Sequence, residues 1–270
     1  MSSILNPLTI VAGLFRHRYL IGQLTRRDVL LKYRGSYLGL AWSFLYPLLL
    51  LSAFTFVFGK ILGARWPQPA GQAAPFALIM YCGLIVFNIF AEVANGAPRL
   101  ILGYQSYVKK IIFPVEILPL VLVTSAWIHA AINLLMLLLA IALFGELHPT
   151  MLLTPIVLLP MVFFSFGLAW FLSAAGVFVR DMVHVMPVLV QVFMFLSPVF
   201  YAVSAVPQSL RWFYQLNPLS AVIEDLRRVT LWGEMPHWGS WSITLALSLV
   251  MAFAGYLIFM RGKEEFADVL

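Results

Sequence analysis

The sequence predicts an all-α integral membrane protein with six transmembrane helices, an N-terminal amphipathic interface helix and re-entrant helices between spans five and six. Three observations predict it. Of 270 residues, 62% are hydrophobic and 10% charged, whereas a soluble domain carries about 25% charged residues. The apolar residues fall in runs that meet the roughly 20 residues a helix needs to cross a bilayer core. The 17 Lys and Arg residues sit between those runs, so the net charge of +6 reads as positive-inside topology and not as a nucleic-acid footprint.

The N-terminal segment comes first. Asn6-Pro7 reads as a helix cap followed by proline at the first helical position. Leu8, Val11, Phe15 and Tyr19 then share one helical face, with Arg16 and Arg18 elsewhere. Such a helix suits the membrane interface, its cations near anionic head groups. The segment does not read as a secretory signal, because Arg residues dot it and no early apolar core ends in small residues.

The six spans run over 35–58, 74–91, 117–144, 151–179, 183–203 and 241–260. Pro47, Pro119, Pro155, Pro160, Pro187 and Pro198 start or kink them. Residues 204–240 are too long for a tight connection and too apolar for a solvated loop. Asn217-Pro218 repeats the cap-plus-proline start, and Glu224 with Arg228 forms an i,i+4 pair of opposite charge. Two short helices that dip into the outer leaflet and return fit this segment; so does a pair lying flat on the surface. The chain reads as a single membrane domain over 1–270: 1–34 cytoplasmic and interfacial, 35–261 in the membrane, 262–270 a cytoplasmic tail.

Orientation follows from the cations. Arg16, Arg18, Arg26, Arg27, Lys32, Arg34, Arg99, Lys109, Lys110, Arg180, Arg261 and Lys263 fall on one side; Lys60, Arg65, Arg211, Arg227 and Arg228 fall on the other. The richer side is cytoplasmic, which places both termini there.

Catalytic chemistry is sparse. His129 is the one histidine deep within a span, has no carboxylate near it in its own helix, and reads as a helix–helix contact. His17, His148, His184 and His237 lack metal-ligand spacing, so no metal site is expected. Glu92 and Glu116 read as cytoplasmic span ends, which argues against an ion-coupled carrier. No phosphate-cradling Gly-rich loop with Lys and Ser/Thr occurs, so no nucleotide cofactor is expected on this chain. Cys82, the sole cysteine, lies in an apolar run.

The spans carry aromatic rings instead, which bury well and anchor helices at the interface. Tyr37, Trp42 and Tyr46 in span one, with Phe193, Phe200 and Tyr201 in span five, are candidates to line a passage, where rings stack on the apolar faces of sugars. Trp212, Phe213, Tyr214, Glu224 and Arg228 are candidates for its outer gate.

Specific runs then carry a resemblance. Thr25-Arg26-Arg27-Asp28-Val29-Leu30-Leu31-Lys32-Tyr33-Arg34-Gly35-Ser36-Tyr37, continuing to Trp42 and then Tyr46-Pro47-Leu48, resembles the approach to the first span of type-2 ABC exporter permeases. Val108-Lys109-Lys110-Ile111-Ile112-Phe113-Pro114 through Pro119 resembles that family's lead into span three. Val179-Arg180-Asp181, Leu196-Ser197-Pro198-Val199-Phe200-Tyr201 and Asn217-Pro218-Leu219 complete the series in order, although an apolar Leu219 stands where the family often has a polar residue. The group most similar exports O-antigen, capsule or teichoic acid polymers.

The resemblance implies a homodimer in the bacterial inner membrane, exporting a lipid-linked polysaccharide such as O-antigen. It implies two copies of a cytoplasmic ATPase subunit holding ATP and Mg. Arg99, Lys109 and Lys110 are then candidates to receive the ATPase stroke. Arg26, Arg27, Lys32 and Arg34 become candidates to meet the lipid pyrophosphate at the membrane lipids. Alternatives are a drug- or lipid-exporting permease of the same fold and a secondary carrier.

Overall fold

The computed structural model describes residues 16–32, 37–61, 63, 66–67, 74–105 and 113–269. Among them all regular structure is helical. Five helical segments are long and apolar enough to cross a membrane: Trp42–Ile61, Phe76–Gly103, Val115–Phe144, Pro149–Phe178 and Trp238–Glu265. The expected fifth of six spans is a shorter apolar helix, Met182–Leu196. Its 15 residues rise about 22 Å at 1.5 Å each, less than the ~30 Å of hydrocarbon, because Ser197 turns into extended backbone.

We number the helices α1 (Arg18–Lys32), α2 (Trp42–Phe54), α3 (Phe76–Gly103), α4 (Leu118–Phe144), α5 (Leu159–Phe178), α6 (Met182–Leu196), α7 (Arg211–Leu216), α8 (Pro218–Leu231) and α9 (Trp238–Gly262). Helix α1 lays Leu20, Ile21 and Leu24 on a small core formed by the ends of α3, α4, α5 and α9, while Arg26 and Arg27 stay exposed. Helix α2 carries Pro47 within it. The Ser52 and Thr55 hydroxyls donate back to the carbonyls of Leu48 and Leu51. The helix widens there into a π-helical stretch, Thr55–Ile61, as hydroxyls competing for helix carbonyls favour.

Prolines set the starts of two spans. Pro119 stands in the first turn of α4, where its missing N–H costs nothing. The fourth span is assembled from three pieces, Pro149–Leu153, Thr154–Val157 and α5, each with a proline in its first two positions.

Helix α3 is the axis of the bundle. It touches α2, α4, α5, α6 and α8, and 78% of its most apolar window is buried, against 6% for α2. Two crossings are close enough to require glycine. A Cβ on Gly255 of α9 would collide with the Gly167 carbonyl of α5, and one on Gly176 would collide with the backbone of Pro98 in α3. Small residues at such crossings let backbones meet, and dispersion then holds the helices together without help from water.

Helix ends confirm which termini share a side of the bundle. Lys263 after α9 pairs with Glu116 before α4 at 2.6 Å. At the opposite end, the Trp241 indole N–H donates to the Ile156 carbonyl, and Thr150 donates to the Val229 carbonyl.

The segment between α6 and α9 folds inward. Asn217 caps α8, its side-chain oxygen accepting from Leu219 N at 3.0 Å. Leu219, Val222, Ile223, Leu226 and Val229 are buried, and α8 lies along the first turns of α3. Arg227 reads in the sequence as one of the outer cations; the structure buries it completely. Its Nε donates to the Ile79 carbonyl, Nη2 to the Val199 carbonyl and Nη1 to Glu224, and the guanidinium lies 4.4 Å from the centre of the Trp66 ring. Gly83 makes this possible, since a Cβ there would stand 2.9 Å from Nη2.

The expected Glu224–Arg228 pair does not form. Glu224 is taken by Arg227, and Arg228 pairs with Glu234 at 2.8 Å. The positive φ of 61° at Gly233 turns the chain back after α8, which brings Glu234 within reach.

Candidate functional site

Three helices turn polar faces toward one another near the start of α2. On α3, Asn88, Glu92 and Asn95 follow at i, i+4 and i+7, hence on one side of the helix. On α4, His129 and Asn133 stand one turn apart, and on α2 so do Trp42 and Tyr46. Together with Lys32 at the end of α1 these side chains line a cavity of about 600 Å³.

An ionic cluster closes one wall. Lys32 Nζ lies 3.0 Å from Glu92 Oε1, and His129 Nδ1 lies 2.9 and 3.1 Å from the two Glu92 oxygens. Lys32 Nζ also approaches His129 Nδ1 at 3.4 Å. A carboxylate within a span is costly unless paired, and here a cation and an imidazole both face it. Glu92 is therefore no span end. The helix runs on to Gly103, about three turns further, because Asn95 and Arg99 continue the polar face while Val93, Ala94, Ala97 and Ile101 keep the other face buried.

The amides complete the wall. Asn133 Nδ2 donates to the His129 carbonyl, and its Oδ1 accepts from the Tyr81 hydroxyl at 2.9 Å. The side-chain oxygen of Asn95 is buried with no hydrogen-bond partner. Asn88 is exposed amid buried neighbours on α3 and opens on the cavity. The arrangement offers donors, acceptors and two aromatic faces within one concave space. It holds no cluster of metal-ligand type among the described residues.

The sequence-predicted site residues divide. Trp42, Tyr46 and Lys32 meet in the cavity. Tyr37 is fully exposed. Phe193 packs edge-on against Phe90 of α3, and Phe200 packs against Phe195 and against Phe54 of span one, so neither joins Trp42 and Tyr46 in the cavity. Ser43 lines the cavity, but Ser52 and Thr55 bond to their own helix.

Tyr201 donates to the Phe195 carbonyl at 2.6 Å and accepts from the Tyr214 hydroxyl at 2.8 Å, which joins a passage candidate to a gate candidate. Trp212, Phe213 and Tyr214 pack edge to face in sequence. Arg26 and Arg27 line a shallow groove along α1 with Arg18 and Tyr19, away from Lys32's partner. Arg99 is exposed beside Asp28 and Lys32. Arg34, Lys109 and Lys110 lie outside the described residues, as do the Asn6-Pro7 cap and the face from Leu8 to Phe15.

Asn88, Glu92, Asn95 and Asn133 were not singled out as a group from the sequence. The 4-then-3 spacing of the α3 residues carried the signal; ending the span at residue 91 hid it.

Comparison with known proteins adds a family. The profile described as ABC-2 type transporter matches residues 19–231. The chain is 28% identical over 266 residues to an O-antigen export system permease protein RfbA of Myxococcus xanthus, covering 97% of this chain and 99% of the relative. It is 24% identical over 250 residues to a protein of the same description from Klebsiella pneumoniae, covering 92% and 93%. A polysialic acid transport protein KpsM of Escherichia coli is 24% identical over 245 residues, covering 88% and 91%.

Proposed function

Because the chain belongs to the ABC-2 type transporter family, we propose that it is the permease subunit of an exporter that carries a lipid-linked polysaccharide, O-antigen in the first instance, across the bacterial inner membrane. The observation that carries this reading is similarity to polysaccharide-export permeases along nearly the full length of both chains. The chain is a transport subunit, and ATP with Mg binds a separate ATPase of which the complex holds two copies.

Two copies of this chain enclose the passage. Helix α2 is the least buried of the long spans, and α6 exposes Val185, Val188, Val192 and Phe195. Both helices thus present uncovered faces to a twofold partner, which agrees with a passage walled by spans one and five. In this arrangement α6, extended by residues 197–203, completes six spans. Helices α7 and α8 re-enter from the outer side, and α1 lies at the cytoplasmic interface. Both termini are cytoplasmic.

Within that frame Arg99, Lys109 and Lys110 dock the ATPase, and Arg26, Arg27 and Arg34 meet the lipid pyrophosphate, while Lys32, the fourth candidate, is held by Glu92. Trp212, Phe213, Tyr214, Glu224 and Arg228 form the outer gate, shut by the Tyr201–Tyr214 hydrogen bond. Co-purification tests the assembly. The tagged chain is expected to bring down an ATPase, and Lys109→Glu with Lys110→Glu is expected to weaken that association while leaving insertion intact. Nucleotide binding by the purified chain alone would contradict the reading.

A further inference from the structure

We propose that the cavity between α2, α3 and α4 is a carbohydrate-binding subsite, one in each copy of the chain, that holds a sugar residue of the exported polymer. The inference rests on the polysaccharide-export reading and adds a site to it, inside a single chain and distinct from a passage between two chains.

Size comes first. A volume of about 600 Å³ falls in the ~300–1,000 Å³ range of small-ligand sites. The second argument is charge. Among the described residues Lys32 is the cation that lines the cavity, and Glu92 matches it at 3.0 Å, so these residues leave no surplus positive charge on the lining. An anionic head group finds little to bind among these residues. A neutral polyhydroxyl ring requires no surplus charge, only donors and acceptors in alternation.

The lining supplies that alternation. Asn88 and Asn95 each bring an amide with a donor and an acceptor end. Asn88 makes no side-chain hydrogen bond among the described residues, and the Asn95 oxygen is buried and unpartnered. Glu92, held by Lys32 and His129, borders the same edge.

The aromatic component stands opposite. Trp42 and Tyr46, one turn apart on α2, both border the cavity and are partly exposed. Their faces match the apolar C–H faces of a pyranose, while the amides of α3 address its hydroxyl edge. An aromatic platform against an amide discriminates a sugar from a lipid tail, which would leave the Asn88 amide unpaired. It also discriminates a sugar from an inorganic cation, because both Glu92 oxygens already face Lys32 or His129.

The experiment places p-benzoylphenylalanine at position 88 in full-length chain, expressed in cells that make the polymer, with position 250 as the control. Val250 is exposed on α9, away from the cavity. Irradiation is expected to attach glycan to the chain at position 88 and not at position 250, and the adduct is expected to vanish in cells that make no lipid-linked polymer. An adduct that persists in those cells would assign the site to a membrane glycolipid and overturn the proposal.

Asn88→Leu is expected to lower export about threefold to tenfold, the scale of one lost hydrogen bond. A photoadduct at Phe195 on α6 with none at position 88 would remove the subsite while leaving the export reading in place. Unchanged surface polymer on loss of the whole chain would remove the export reading itself.

Discussion

Arg227 shows how far one residue can depart from its appearance in a sequence. Counted by position it is an outer cation; in the structure it spends its donors on the Ile79 and Val199 carbonyls and on Glu224, and so fastens α8 to α3 and to the chain after α6. Arg227→Ala is expected to destabilise the protein by about 2–4 kcal/mol, because two buried carbonyls lose a charged partner. Arg227→Lys is expected to recover only part of that, since an ammonium lacks the planar fork. Thermal melting of the detergent-solubilised chain checks both; an Arg227→Ala melt equal to the wild type would remove the fastening role. The Lys32–Glu92 pair is a smaller matter, because Lys32 is half exposed and such pairs contribute at most about 1 kcal/mol. Lys32→Glu brings two carboxylates together and is expected to lower the melting temperature, with Lys32→Glu/Glu92→Lys restoring most of it. No restoration in the double variant would mean that the pair is not what orients these two helices.

At the scale of elements, legibility followed the strength of the apolar pattern. Span three, expected over 117–144, appears as α4 at Leu118–Phe144, and span six, expected over 241–260, as α9 at Trp238–Gly262. Both are nearly uniform apolar runs with clear ends. In the sequence span two ends at residue 91 because Glu92, Asn95 and Arg99 look like an exit into water; only the packing of Val93, Ala97 and Ile101 reveals a helix with a polar stripe. The helix of span five, expected over 183–203, ends at Leu196, since nothing local in the sequence distinguishes a helix from the extended backbone that begins at Ser197. The Asn217-Pro218 start of α8 was legible because capping is local chemistry, whereas the Glu224–Arg228 pair failed because its competitor, Glu234, arrives through a turn at Gly233. The α5–α9 crossing gives the element-scale prediction. Gly255→Ala forces two backbones apart and is expected to cost about 1–3 kcal/mol. Gly239→Ala, on the same helix with open space around it, is expected to be neutral or slightly stabilising. Equal melting of the two variants would contradict close packing at that crossing.

For the whole molecule, the uneven burial of the spans is the informative fact. Helix α3 is sheathed by its neighbours, while α2 and α6 are left bare; in the proposed dimer these two helices meet a second copy and the passage. Substitution of Tyr46 or Tyr201 by alanine is expected to impair export more than substitution of Phe163 in α5, and equal tolerance in inserted protein would reduce these aromatics to packing. Export itself is tested most directly by deleting the gene in cells that make the polymer and measuring where the lipid-linked chains reside. Surface polymer should disappear, lipid-linked polymer should accumulate on the cytoplasmic side, and the restored wild-type gene should reverse both. Unchanged surface polymer in the deletion strain would contradict the account.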